Sequence, residues 1–266
     1  MAHEVKTMAY VGDTPWHGLG HPLSPKQPIA VWQRQAGMDW SIRETDVLFS
    51  ISGNEGLHLK TKPDHKVLFR SDSGEALSVV SKRYKVVQPA EVLEFYRDLV
   101  SVGGFELETA GVLKGGKKLW ALARTGQETL LRGNDAVKAY LLLATSCDGT
   151  LCTTAQFTSV RVVCNNTLQM AVGNNSGAVK VPHSTAFDPK QVKEALGIGL
   201  SSWDRFAESM RRLADRPVNK FEAMRFLVDV LGDASLPLND LPNMKAIQAV
   251  YGLYAGEGKG SELASA

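Results

Sequence analysis

The chain has 266 residues, of which 44% are hydrophobic and 22% charged, with a formal charge of +2; such a chain can bury a sizeable core, and wholesale disorder is excluded. Three cysteines, Cys147, Cys152 and Cys164, are odd in number and lack C-x-x-C spacing, which argues against a disulfide framework or a zinc knuckle. No apolar run reaches the length of a membrane span, and residues 1–16 lack the basic start and apolar core of a signal peptide, so a cytoplasmic protein without a membrane partner is expected.

Charge is unevenly spread. Residues 1–55, 56–172 and 173–266 carry net charges of −2, +4 and 0. The middle is therefore mildly basic, compatible with a polyanion partner but short of the excess that holds duplex DNA mainly by charge.

Four regions are predicted in chain order: an irregular N-terminal arm with a short helix (1–46), an α+β core (47–172), a helical C-terminal region (178–255) and a mobile tail (256–266). In the arm, Thr14-Pro15-Trp16-His17-Gly18-Leu19-Gly20 and three nearby prolines forbid a regular element, so Trp16 is expected to anchor the arm. His17 and His21 are four apart, but the glycines and Pro22 argue against a metal-holding helix. Ile29 to Ala36 has helical spacing and stops at Gly37.

From Val47 to Val87 the apolar residues alternate between turn residues, the mark of short antiparallel strands. Lys82, Arg83 and Lys85 then surround Tyr84, either as a solvated strand end or as phosphate contacts beside a stacking aromatic. Pro89 to Val102 reads as one helix stopped by Gly103-Gly104. Phe105 to Leu113 and Leu119 to Arg124 flank Lys114-Gly115-Gly116-Lys117-Lys118, an exposed hairpin tip with three lysines. Val137 to Thr145 and Leu151 to Phe157 form a second hairpin, where Asp148-Gly149 suits a two-residue turn.

After this hairpin the period changes. Val160, Val163, Cys164, Thr167, Leu168 and Ala171 fall at helical spacing, and Arg161, Asn165 and Gln169 form a polar stripe beside them. Guanidinium groups bond phosphate bidentately and amides bond phosphates or base edges, so the stripe suits a single nucleic-acid strand. An equally open reading pairs Arg161 with Glu106 or Glu108 and bonds Asn165 and Asn166 to neighbouring loops. Three further helices are predicted from Asp188 to about Leu213, Phe221 to Leu231 and Met244 to Tyr254.

Motifs of covalent chemistry are missing. Gly258-Lys259-Gly260-Ser261 fails as a phosphate loop in spelling and context, and there is no H-E-x-x-H, EF-hand loop or G-x-S-x-G. A nucleophilic Cys147 would need His17 or His183 as its base, and nothing in the spacing brings either close.

Four segments carry a resemblance: Pro15 to Gly20, Tyr84 to Pro89, Glu108 to Ala123 and Arg161 to Leu168. Together they resemble the uncharacterised phage/plasmid-like protein family, a domain of unknown function of prophages and mobile plasmids. The element order between Pro89 and Val172 is also similar to phage single-strand annealing proteins, a likeness at the level of fold. That likeness implies a homo-oligomer that binds single-stranded DNA along a basic groove without a cofactor.

The fold expected is α+β, an antiparallel hairpin-rich sheet packed by helices with a helical C-terminal region. The function expected is non-enzymatic single-stranded DNA binding, with strand annealing. Lys114, Lys117, Lys118, Arg161 and Asn165 are the contact candidates, with Lys82, Arg83 and Lys85 secondary; no catalytic, metal, cofactor or small-molecule site is assigned. Two rivals stand beside it. One is a protein-interaction module that modulates a host factor, which predicts an exposed apolar or acidic surface. The other is an enzyme in which Cys147, His17 and a carboxylate converge.

Overall fold

A computed structural model describes residues 4–53, 56–101, 103–130, 136–173, 177–197, 208, 211–213, 215–233, 235–237 and 239–257. The chain divides into two compact units, residues 1–129 with 137–204, and residues 130–136 with 205–266.

The first unit is built on a seven-stranded sheet in the order β10-β9-β8-β7-β6-β1-β2. Its strands are β1 (Val5–Tyr10), β2 (His21–Pro22), β6 (Glu106–Leu113), β7 (Lys118–Leu130), β8 (Ala136–Ser146), β9 (Thr153–Thr158) and β10 (Val179–Val181). A separate three-stranded sheet contains β3 (Ile42–Gly53), β4 (Gly56–Arg70) and β5 (Ala76–Ser81), with β4 in the middle. With the helices described below, the fold is α+β, as the mixture of alternating and helical periods predicts.

The large sheet is buried on both faces, which is why Leu119 to Ala123 and Leu141 to Ala144 read as unbroken apolar runs. On one face Ala110, Val112, Leu119, Ala121 and Leu141 join a core with Trp32, Leu68, Leu93 and Phe95. On the other, Met8, Trp120, Leu122, Tyr140 and Leu142 pack with Val162, Cys164, Leu168 and Ala171.

Helix α1 (Ile29–Gln35) buries Ile29 and Trp32, one turn apart, and ends as the spacing predicts. The helix predicted from Pro89 to Val102 is broken: α2 (Pro89–Glu94) and α3 (Arg97–Ser101) are separated at Phe95-Tyr96. Tyr96 is fully buried and its hydroxyl lies 2.8 Å from the Ala121 carbonyl and 3.0 Å from that of Leu141. Placing that hydroxyl on two sheet carbonyls accompanies the break, and periodicity alone carries no record of it. Gln88 starts α2 with a reciprocal cap to Glu91 and also bonds both backbone groups of Ile42, tying the helix to β3.

Two other expectations change. The second hairpin turns through Cys147–Cys152 and not two residues; Asp148 accepts from the Thr150 amide and hydroxyl, and Gly149 has φ +77°. The helix predicted from Val160 begins at Asn165 as α4 (Asn165–Gly173), and Val160 to Cys164 run outside any helix or strand. α5 (Pro189–Ala195) opens with Asp188 accepting from two amides. The extension of that helix to Leu213 falls largely on residues outside those described, as does most of the predicted tail.

The second unit contains α6 (Lys220–Leu231), capped reciprocally by Asn219 and Glu222, and α7 (Lys245–Gly252), close to the spans read from spacing. No helix of the described residues is long and apolar enough to cross a membrane.

Gly111 is the tightest point of the large sheet. A Cβ there would lie 2.4 Å from the Trp120 ring and 2.6 Å from the Thr7 carbonyl oxygen. Gly111→Ala should therefore destabilise the protein by about 1–3 kcal/mol, the usual cost of overpacking. Urea unfolding followed by tryptophan fluorescence measures it; an unchanged midpoint would contradict this packing.

Candidate nucleic-acid interface

The candidate site starts from an irregularity in β6. The register between β6 and β7 shifts between Leu107 and Thr109, making Glu108 the extra residue of a β-bulge. In a regular strand Glu108 and Thr109 would face opposite ways; here both reach the sheet face covered by residues 161–168. The Thr109 hydroxyl donates to the Val162 carbonyl at 2.6 Å and accepts from the Trp120 indole at 3.2 Å.

Glu108 gathers two arginines. Its side chain is 6% exposed; Arg161 Nε donates to Oε1 at 2.6 Å, and Arg124 Nε lies 2.6 Å from Oε2. Arg161 Nη2 also donates to the Val11 carbonyl at 3.0 Å. The Tyr140 hydroxyl donates to Oε1 at 3.3 Å, and burial, then the Glu108 charge, raises the Tyr140 pKa to about 12. Arg161 and Arg124 keep 23% and 32% of their side-chain surface in solvent. One carboxylate thus pairs with two guanidinium groups, through a hydrogen bond from Arg161 Nε and an ion pair with Arg124, while Arg161 Nη1 and both Arg124 Nη atoms have no hydrogen-bond partner among the described residues. The cluster has one net positive charge and donors held in place, the arrangement that a phosphate or carboxylate meets bidentately.

The N-terminal arm is tied to the same place. His17 Nδ1 accepts from the Leu19 amide, so its Nε2–H donates to the Val163 carbonyl at 2.9 Å, two residues from Arg161. Trp16 does not anchor the arm: Pro15 is buried, while the Trp16 indole is 67% exposed and sits edge-on to His17, 5.2 Å between centroids. His17 thus links the exposed indole to the backbone of the segment that carries Arg161, and an exposed indole is a flat stacking surface.

Helix α4 begins under local control. Cys164 Sγ accepts from the Thr167 amide at 3.5 Å while Thr167 Oγ1 accepts from the Cys164 amide at 3.0 Å, a capping box with a thiol in place of the usual hydroxyl. Asn165 is half-buried with Oδ1 unpartnered, and Asn166 and Gln169 are exposed. Arg161 precedes the helix, so the stripe of three predicted from spacing is divided between a loop and the helix.

The lysine tip is docked, contrary to the expectation of an exposed hairpin end. Gly116 packs against Leu77, Arg70 and Trp40, with φ +120° permitting the close turn. Arg70 donates to the Gly115 carbonyl and stacks 3.9 Å over Trp40. Lys118 is 4% exposed, with its pKa lowered by burial and then by Lys114; Lys117 is half-buried, and Lys114, though exposed, lies 3.4 Å from Glu4. Of the secondary candidates, Lys82 pairs with Asp46 at 2.6 Å, while Arg83 and Lys85 are exposed. Tyr84 stacks on His183 at 4.4 Å and its hydroxyl donates to the Ser146 carbonyl, so one ring face is already occupied. Glu108 is one of the two carboxylates the sequence offers Arg161; Arg124 and the exposure of Trp16 are what spacing did not single out, and the available signal was an arginine ending the buried run Leu119 to Ala123.

Cys147 and His17 are engaged separately. The thiol is directed at the Gly116 and Lys117 carbonyls, and burial, followed by Asp148, pushes its pKa up to about 12. Neither the thiol nor the imidazole is set up to exchange a proton with the other.

These features define an α+β protein with a part-exposed double-arginine cluster around one buried carboxylate, and an exposed indole on the arm that bonds the Val163 backbone. The chain belongs to the family described as Domain of unknown function (DUF932), whose profile matches residues 76–266. No curated protein and no solved structure matches the chain.

Glu108→Gln keeps the shape and removes the charge that neutralises two part-buried cations. We expect a loss of roughly 2–3 kcal/mol, less than for a fully buried pair because both arginines touch solvent; equal stability by urea titration would show the ion pairs to be dispensable. For the thiols, Cys152 is exposed and Cys147 and Cys164 are buried. A thiol-reactive chromophore should therefore modify one cysteine rapidly in the native protein and all three after unfolding, and three fast thiols would contradict the burial.

Proposed function

We propose that the protein binds single-stranded DNA and anneals complementary strands as a homo-oligomer, acting in the cytoplasm of cells that carry phage or plasmid elements. The observations that carry this reading are the Arg161–Glu108–Arg124 cluster and the exposed Trp16, whose neighbour His17 bonds the Val163 carbonyl two residues from Arg161. Phosphate is a ligand for guanidinium N–H groups, and a free base face is a ligand for the indole. A duplex offers phosphates but keeps its base faces stacked, so an indole platform favours an unpaired strand. The resemblance of the Arg161 to Leu168 segment to phage/plasmid-like proteins, and the element order shared with annealing proteins, support the same class.

The first test is fluorescence anisotropy with labelled single-stranded DNA, duplex DNA and RNA at low salt. Single-stranded DNA should bind best, with affinity falling as salt rises. Trp16→Ala, at a solvent-exposed position, should weaken binding about tenfold to a hundredfold, from ~1–3 kcal/mol per stacked base. No binding of any oligonucleotide by the parent protein at low salt would overturn the proposal.

A further inference from the structure

The three-stranded sheet becomes a two-stranded ribbon beyond Asp46. β5 pairs with β4 only from His65 to Phe69. At the edge of that pairing the β3–β4 register jumps from Asp46↔Lys66 to Val47↔Lys62, leaving Pro63, Asp64 and His65 as a bulge. From Val47↔Lys62 to Gly53↔Gly56 the two strands continue with no third strand beside them among the described residues.

Such a ribbon is a marginal structure in water, and an exposed hydrophobic strand edge is something proteins ordinarily avoid. This one exposes Leu48 (59%), Phe49 (44%), Ile51 (40%), Leu57 (70%) and Leu59 (69%). Apolar exposure marks an interaction surface, and of these residues Phe49 and Ile51 share the face that carries the lysines, while Leu48, Leu57 and Leu59 lie on the opposite one.

Register sorts the two faces. Val47, Phe49 and Ile51 stand opposite Lys62, Lys60 and His58 on one face; Leu48, Ser50 and Ser52 stand opposite Thr61, Leu59 and Leu57 on the other. The first face is therefore an apolar row containing one aromatic ring, laid beside a row of two lysines and a histidine. Asp64 lies 3.3 Å from Lys62 with both groups well exposed, and Lys60 has no ion-pair partner among the described residues. Same-face neighbours along a strand are about 6.8 Å apart, so Lys60 and Lys62 can meet two phosphates of one strand, with Phe49 across the ribbon from Lys60.

We infer that this face of the β3–β4 ribbon is a second contact for single-stranded nucleic acid, with Lys60 and Lys62 meeting phosphates and Phe49, flanked by Val47 and Ile51, lying against base faces. The inference rests on the single-strand reading above and adds a surface remote in sequence from the arginine cluster. Charge favours this occupant over a second copy, since two such faces packed together would bring rows of like charge into one interface.

The test uses the full chain with Lys60→Gln/Lys62→Gln and Phe49→Ala, both at exposed positions, each checked for an unchanged thermal midpoint. By anisotropy, the double variant should bind single-stranded DNA at least tenfold more weakly, and the slope of log affinity against log salt should fall by about 1.4, two phosphates at ~0.7 each. Phe49→Ala should weaken binding about tenfold with the slope unchanged. If the parent protein binds and Trp16→Ala weakens it, yet both ribbon variants keep parental affinity and slope, the ribbon contact is wrong and the Trp16–arginine reading survives. If ribbon variants alter the mass in sedimentation, or retention on anionic vesicles, at unchanged DNA affinity, the ribbon serves copies of the chain or a lipid surface, and the inference is overturned.

Discussion

A buried carboxylate between two arginines is the constraint on which the rest of the site depends. Glu108 can occupy its position only because β6 carries an extra residue there, and it is tolerated in a 6%-exposed position because two guanidinium groups and the Tyr140 hydroxyl compensate its lost hydration. The same contacts fix Arg161, whose second bond reaches the Val11 carbonyl, and thereby hold the chain leading into α4 against β1. Thr109 and His17 reinforce this by bonding the carbonyls of Val162 and Val163. Three segments distant in sequence are thus joined by side chain to backbone bonds, a geometry that resists shear better than apolar packing alone.

The same organisation separates rigid from projecting parts. Around Glu108 every functional side chain is held by at least one partner, so binding there would require little ordering of the protein. The β3–β4 ribbon is the opposite case: its base is fixed by the Lys66–Glu44 and Lys82–Asp46 pairs, while its outer half has two strands and exposed leucines. A fixed cluster and a projecting ribbon are complementary devices for following a flexible polymer, one setting position and the other extending reach.

Much of this fold is written in local pattern. The period-two runs between Val47 and Val80 fall in β3, β4 and β5, although β4 runs unbroken from Gly56 to Arg70 where the pattern predicts short strands, and Asn219 with Glu222 marks the start of α6 as a reciprocal cap should. Pattern failed where a tertiary contact decided the outcome. Val160, Val163 and Cys164 have helical spacing, yet those residues lie outside the helix, in a segment where Thr109 and His17 engage the Val162 and Val163 carbonyls and Glu108 engages the Arg161 side chain. The lysine tip reads as exposed because glycines and lysines ordinarily are; its burial follows from Trp40, Leu77 and Arg70, which are distant in sequence. Arg161 pairing with Glu108 was legible as one of two readings, whereas the sharing of that carboxylate with Arg124 depends on the bulge, which no single-sequence pattern announces.

The bond from Arg161 to Val11 spans 150 residues. Contacts of such separation are made late, because the loop they close must first be ordered by nearer contacts. During synthesis Glu108 is followed closely by Arg124 but emerges 53 residues ahead of Arg161, a lag of several seconds at ~5–20 residues per second. Assembly of the cluster therefore reports that the first unit has closed: a protein with Arg161 in place has already brought its N-terminal strand, its central hairpins and its α4 segment together.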